Sequence, residues 1–147
     1  MKRILVAAFV LFAGSAAFAE DAAKPSGLPR TKAPPGVELY FISPVDGATV
    51  GKELTVRFGL KGMGVAPAGT IKEGTGHHHL LIDVTSLPAM DQPLPNDAQH
   101  KHFGAGQTES NISLTPGDHT LQLVLGDAAH IPFDPPIVSP KITVHVK

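Results

Sequence analysis

The stretch GHHHLLIDV, residues 76–84, places three consecutive histidines at the start of an apolar run. Such a run is typical of a buried β-strand, in which successive side chains point to opposite faces of the sheet. One face of this strand then carries His78, Leu80, Ile82 and Val84. The other face carries His77 and His79, whose backbone positions are about 6–7 Å apart. The spacing predicts that these two imidazoles converge on one metal ion.

Short alternating runs of the same kind lie on both sides of this stretch. They predict strands at residues 37–43, 54–60, 76–84, 99–103, 108–114, 119–125 and 141–146. The 15 glycines and 14 prolines fall largely between these runs, as expected for turns. Seven short strands without helical periodicity predict an all-β fold, a single immunoglobulin-like Greek-key β-sandwich. An eight-stranded jelly roll is the alternative architecture.

Strand alternation in such a sandwich gathers histidines that are far apart in sequence. The start of the third strand, the end of the fourth and the loop after the sixth fall at one end of the domain. The predicted metal ligands there are His77, His78, His79, His100, His102 and His130. Glu109 and Asp127 are predicted to orient the imidazoles as supporting carboxylates. His119 and His145 fall at the opposite end of the domain.

The ligand types restrict the choice of metal. Imidazole nitrogens suit Zn²⁺ or Cu²⁺, and a chain with no cysteine offers no thiolate site. We therefore expect a copper or zinc ion as the cofactor. Free histidine titrates near pH 6.5, which predicts that metal binding weakens below about pH 6.

The N-terminal residues have the pattern of an export signal. Lys2 and Arg3 precede the apolar run 4–12, and Ala17-Phe18-Ala19 is a small-x-small cleavage site. We expect residues 1–19 to be a signal peptide, residues 20–36 a disordered linker, and residues 37–147 the folded domain. The expected location is the periplasm or the medium, with no membrane anchor after cleavage.

Composition excludes several classes of function. The net charge is −1, and no basic patch indicates a nucleic-acid partner. The chain carries no cysteine nucleophile, no G-x-S-x-G elbow and no phosphate-binding loop, so no catalytic residues are predicted.

Four motifs together resemble a known family. They are FGLKGMGVAPAG (58–69), TGHHHLLID (75–83), HFGAGQTE (102–109) and PGDHTLQLVLGDAAH (116–130). The sequence from Val37 to Lys147 resembles the bacterial exported family called domain of unknown function 4399. This resemblance implies a single exported domain and assigns no activity.

Three functions are compatible with these features. The first is an exported module that binds Cu²⁺ or Zn²⁺ for storage, delivery or sensing. The second is a module that recognises an envelope protein partner or an envelope polymer without metal. The third is a metal-dependent enzyme, which requires an open coordination position.

Overall fold

The computed structural model describes residues 27–147 and contains nine β-strands within them. These are β1 (Glu38–Ser43), β2 (Ala48–Val50), β3 (Glu53–Lys61), β4 (Gly64–Val65), β5 (Thr75–Ile82), β6 (His100–His102), β7 (Glu109–Ser113), β8 (Gly117–Gly126) and β9 (Ile142–Val146). Residues 27–147 contain no helix that could cross a membrane. The predicted signal peptide, residues 1–19, lies outside the described residues.

The strands form two sheets. The smaller sheet has the order β1-β3-β7 and is antiparallel throughout. The larger sheet has the order β2-β9-β8-β5-β4, and β6 also pairs with β5. All seven predicted strands are present, and the all-β, sandwich-like fold is confirmed. The immunoglobulin-like Greek-key arrangement stays a prediction.

Two short strands, β2 and β4, depart from the sequence prediction. Both pair in parallel, β2 with β9 and β4 with β5, whereas the predicted sandwich has antiparallel neighbours throughout. Segments of three and two residues are too short to show an alternating pattern. The larger sheet is therefore mixed.

The core lies between the two sheets and follows the alternation read from the sequence. In register, Leu80 lies opposite Leu123 and Ile82 lies opposite Leu121. Leu121, Leu123 and Leu125 are fully buried. They pack with Val56 and Phe58 of the smaller sheet in one apolar cluster. The face of β5 that carries Leu80 is thus the face toward the core.

Strand β5 is buried on its other face as well. Leu81 and Val124 pack there against Leu94, which belongs to the long connection between β5 and β6. The Leu94 N–H donates to the carbonyl of His130 (2.9 Å), so this connection meets the loop after β8. Loops therefore cover the outer face of the larger sheet, and they enclose His77 and His79.

The segment before β1 also packs on the domain. The Ala33 N–H donates to the carbonyl of Asp134 (2.9 Å), and the Asp134 N–H donates to the carbonyl of Thr31 (2.8 Å). Arg30 donates to the carbonyl of Phe133. Residues 27–36 were expected to be the end of a disordered linker. They form a strap along residues 132–134, held by backbone hydrogen bonds and by the side chains of Arg30, Thr31 and Lys32.

A candidate four-histidine metal site

His77 and His79 lie side by side on the outer face of β5. Each imidazole is 1% exposed, and the Nε2 atoms of the two rings are 3.0 Å apart. This arrangement follows from the period of two along a strand, which places alternate side chains on one face. The pair is therefore the fixed part of the site, because it lies on an interior strand of the larger sheet that pairs with β8 and β6.

Two further histidines reach this pair from different elements. His102 lies opposite His79 in the pairing of β6 with β5, and the centroids of their rings are 5.0 Å apart. His130 comes from the loop after β8, and its Nδ1 lies 3.1 Å from Nε2 of His77. One nitrogen from each of the four rings lies within 4.8 Å of the other three. This set is called the histidine cluster below.

Burial keeps three rings of the cluster neutral. Burial and, to a smaller extent, the neighbouring imidazoles lower the pKa of His77 to about 4, while the negative charge of Asp127 opposes the shift. Burial, followed by the charge of His77, lowers the pKa of His79 to about 2. Burial also lowers the pKa of His102. At neutral pH these three rings hold no extra proton, so each has a nitrogen lone pair available for a metal.

Two nitrogens of the cluster lack the partners that buried polar atoms normally have. Nδ1 of His79 and Nε2 of His102 are buried, and neither has a hydrogen-bond partner among residues 27–147. A buried polar atom without a partner costs on the order of 1–3 kcal/mol. Such atoms call for an explanation, and a metal ion would satisfy one that faces the centre of the cluster. At His79 the nitrogen that lies next to His77 is Nε2, so a metal bound there would leave Nδ1 unpartnered.

Two glycines leave the space that the rings occupy. A Cβ atom on Gly104 would lie 2.3 Å from Cε1 of His102, and one on Gly126 would lie 3.0 Å from Nε2 of His79. Neither glycine has the positive φ that requires glycine. Their lack of a side chain therefore serves the packing of the imidazoles. No role for either residue is evident from the sequence, although Gly104 lies only two positions after His102.

The glycine-rich loop after β4 crosses the loops that carry two of the cluster histidines. The Ala68 N–H donates to the carbonyl of Gly104 (2.9 Å), two residues after His102. The Gly69 N–H donates to the carbonyl of Ala128 (2.9 Å), two residues before His130. These two bonds tie the two loops together.

The structure places three of the other four predicted site residues away from the cluster; the fourth, Asp127, lies in the loop that carries His130. His78 points into the core, where its ring centroid is 5.1 Å from that of Phe58. Nδ1 of His100 lies 2.9 Å from Oδ1 of Asp97. Glu109 accepts a hydrogen bond from Nε of Arg57 (2.9 Å) on the exposed side of the smaller sheet. Of the six predicted ligands, the structure brings together His77, His79, His102 and His130.

The remaining histidines pair with carboxylates elsewhere. Nδ1 of His119 lies 2.6 Å from Oδ2 of Asp83, and Nδ1 of His145 lies 2.6 Å from Oδ1 of Asp118. The hydrogen bond to Asp83 raises the pKa of His119. Both histidines were expected to lie away from the predicted site, and neither belongs to the cluster.

The dimensions of the cluster suit a first-row transition metal. Zn–N bonds of about 2.0–2.1 Å place the nitrogens of a tetrahedral site roughly 3.3–3.4 Å apart. Separations in the cluster begin at 3.0 Å and reach at most 4.8 Å, so small ring rotations would bring four nitrogens to these positions. Four protein ligands also complete a tetrahedral shell, whereas catalytic zinc sites keep one position open.

Comparison with known proteins identifies the family. Neither the curated proteins nor the solved structures give a match to this chain. Residues 56–147 match the family described as domain of unknown function, DUF4399, and all four cluster histidines fall within that range. The match agrees with the resemblance of the sequence motifs. The chain therefore belongs to the DUF4399 family.

Proposed function

We propose that this protein is an exported β-sandwich module that binds one Cu²⁺ or Zn²⁺ ion at the histidine cluster. The observation that carries the proposal is the convergence of four imidazole nitrogens within 4.8 Å in a largely buried site. Imidazole is a ligand that both metals favour. The rings come from β5, β6 and the loop after β8, so folding of the domain brings the four ligands together before any metal binds.

A full set of four protein ligands favours storage, delivery or sensing over catalysis. Catalytic zinc sites keep a coordination position for water or substrate, and four histidines around one tetrahedral ion leave none. The export pattern of residues 1–19 supports this role, since an exported module would meet metal ions in the cell envelope or outside the cell. N-terminal sequencing of the exported protein should then begin at Glu20, and a mature protein that retains Met1 contradicts export.

One observation supports a second candidate, a binding module that works without metal. The separations of 3.0 Å between His77 and His79 and of 3.1 Å between His77 and His130 are also hydrogen-bond distances. One ring nitrogen could donate to the next and form a chain of imidazoles. In this case the cluster would support the surface that recognises an envelope protein or polymer.

Thermal unfolding separates the two candidates. Untagged protein is freed of metal with a chelator and melted with and without Zn²⁺ or Cu²⁺. A metal that binds only the folded state at 100 times its Kd stabilises by about 2.7 kcal/mol. For a domain of this size that corresponds to a rise in Tm of roughly 10 °C.

Paired variants locate the effect. His77→Ala with His79→Ala should remove most of the rise in Tm, because it deletes two ligands from the fixed strand. His102→Ala with His130→Ala should do the same through less buried positions. His119→Ala is the matched control, since this histidine bonds Asp83 outside the cluster, and it should keep the full rise. No rise in the unmutated protein would overturn the metal proposal in favour of the second candidate.

A further inference from the structure

We infer that Asp127 is the positioning residue that sets His130 as the fourth ligand of the cluster, an inference that rests on the proposed metal site. The sequence predicts that Asp127 orients an imidazole as a supporting carboxylate. Its hydrogen bonds show a different means of action, because its carboxylate binds the backbone of the loop that carries His130 and leaves the rings free.

The carboxylate of Asp127 closes the loop around His130. Oδ1 accepts from the N–H of Ala129 (2.9 Å) and from the N–H of Ile131 (3.0 Å), the two residues that flank His130. Backbone bonds complete the loop: the Asp127 N–H donates to the carbonyl of Ile131 (2.9 Å), and the His130 N–H donates to the carbonyl of Asp127 (3.0 Å). A single side chain thus fixes the backbone on both sides of the ligand.

His130 needs the hydrogen bonds from Asp127 because its backbone conformation is energetically unfavourable. Its φ is +66°, in the left-handed region that residues other than glycine rarely adopt. Such a conformation costs on the order of 1–3 kcal/mol and persists only where the surroundings impose it. The unfavourable φ directs the imidazole of His130 to within 3.1 Å of His77. A loop released from Asp127 would relax to a negative φ and carry the ring away.

The strap before β1 holds Asp127 from the outside. The Thr31 hydroxyl donates to Oδ2 of Asp127 (2.7 Å), the oxygen that the loop does not use. Thr31 also accepts through its carbonyl from the Asp134 N–H, so the strap and the loop are joined at two points. Thr31 therefore positions Asp127, and Asp127 fixes the backbone on both sides of His130. The backbone in turn sets the position of the imidazole that would bind the metal.

Cobalt binding tests this order, with Co²⁺ as the probe because its visible spectrum reports tetrahedral nitrogen ligands. Asp127→Ala should weaken binding by about 10–100-fold, as loss of a supporting partner does. Its spectrum should match that of His130→Ala. Asp127→Asn keeps an oxygen that can accept from both N–H groups, so it should bind within about threefold of the unmutated protein. Thr31→Val should have a smaller effect than Asp127→Ala.

The double variant shows whether the two residues act as one unit. If Asp127 acts through His130, Asp127→Ala with His130→Ala should bind no more weakly than His130→Ala alone. Fully additive losses would overturn the inference and assign Asp127 a general structural role. The inference would also be overturned if Asp127→Ala bound Co²⁺ with the affinity and spectrum of the unmutated protein.

Metal-free protein keeps this test separate from the proposed function. Hydrogen exchange at the amides of Ala129 and Ile131 should speed up in Asp127→Ala, while amides of β5 stay protected. Unchanged exchange at both amides contradicts the positioning role. Failure of the unmutated protein to bind Co²⁺, Zn²⁺ or Cu²⁺ contradicts the proposed function, and the exchange result still decides the role of Asp127 in the loop.

Discussion

The cluster histidines and the paired histidines have opposite surroundings. His77 and His79 are buried, and their nearest titratable neighbours are other imidazoles. His119 and His145 have a carboxylate oxygen at 2.6 Å instead, in contact with solvent. Burial among like groups favours the neutral ring, and a carboxylate favours the protonated ring. One residue type thus forms a buried imidazole cluster on one face of the domain and pairs with carboxylates elsewhere.

Burying the imidazoles of the cluster costs free energy that apolar side chains in the same positions would not cost. On the same face of the larger sheet, Leu81 and Val124 fill adjacent positions with apolar side chains. Imidazoles in such positions lose the hydration that their polar nitrogens have in water, a cost that an apolar side chain does not carry. A role for the lone pairs accounts for this cost, and packing alone does not.

The largest expected difference in Zn²⁺ affinity is between variants of two histidines in the same short strand, β6. His102 belongs to the cluster, whereas His100, two residues earlier, bonds Asp97. Loss of a residue that only supports a ligand lowers metal affinity by about 10–100-fold. His102→Ala removes a ligand itself, so it should lower the affinity for Zn²⁺ by more than that. His100→Ala should leave affinity within about threefold. Competition with a chelator of known affinity measures both, and equal losses would mean that the cluster extends along β6.

A glycine variant tests the same ring without removing it. A Cβ on Gly104 would lie 2.3 Å from the ring of His102, so Gly104→Ala should displace this ligand and weaken Zn²⁺ binding by about tenfold. Gly51→Ala is the control, because a Cβ there would meet only the carbonyl of Glu53 at 3.8 Å. The same chelator competition applies, and unchanged affinity in Gly104→Ala would show that the ring of His102 is free to move.

The buried pair His77 and His79 should give stability a pH dependence opposite to that given by His119. The folded pKa of His77 is about 4, and that of His79 is about 2, both below the value of 6.5 for an unfolded chain. Between these limits the unfolded chain binds more protons, so the metal-free protein loses stability as pH falls from about 6.5. The expected slope is about 1.4 kcal/mol per pH unit for each such histidine. Urea unfolding at pH 7 and pH 5 measures it.

His119 should show the reverse dependence. Because the hydrogen bond to Asp83 raises its folded pKa, its contribution is complete below the unfolded value of 6.5 and is lost as pH rises through the folded value. His119→Asn should therefore destabilise more at pH 5.5 than at pH 9. A destabilisation that is equal at both pH values would mean that the pair with Asp83 is a neutral hydrogen bond.

The smallest effect concerns the histidine that belongs to neither group. His78 is fully buried against Phe58, and neither of its ring nitrogens makes a hydrogen bond of normal geometry among residues 27–147, although the backbone of Gln107 lies close enough to oppose the lowering of its pKa by burial. Replacement by a leucine removes two unpartnered polar atoms, so His78→Leu should leave stability unchanged or raise it by about 1 kcal/mol. Zn²⁺ affinity should not change. A loss of stability above about 1 kcal/mol in urea unfolding would reveal a partner for this ring.

The sequence predicts those features that depend on local periodicity. Alternation along residues 76–84 separates His77 and His79 from the core face of Leu80, and the structure agrees. The same parity also places His78 on the core face. The short strands β2 and β4 and the strap of residues 27–36 are held by long-range backbone pairing, which has no local pattern.

The composition of the site depends on register and space, which a single sequence does not specify. The pairing of His102 with His79, and of His100 with Leu81, is fixed only when β6 docks on β5. The pocket that Gly104 and Gly126 leave for the rings is likewise a tertiary feature. Burial also moves the pH at which protons compete with metal from about 6, the expectation for free histidine, toward the pKa of about 4 of His77.

X-ray absorption of the zinc complex tests the central claim most directly. Untagged protein loaded with one equivalent of Zn²⁺ and freed of excess metal should retain one ion per chain. Its spectrum should show four nitrogen ligands at about 2.0–2.1 Å, with the outer-shell scattering of imidazole rings. A chain that retains no zinc, or a spectrum dominated by oxygen with fewer than three imidazoles, would contradict the assignment of the cluster as a metal site.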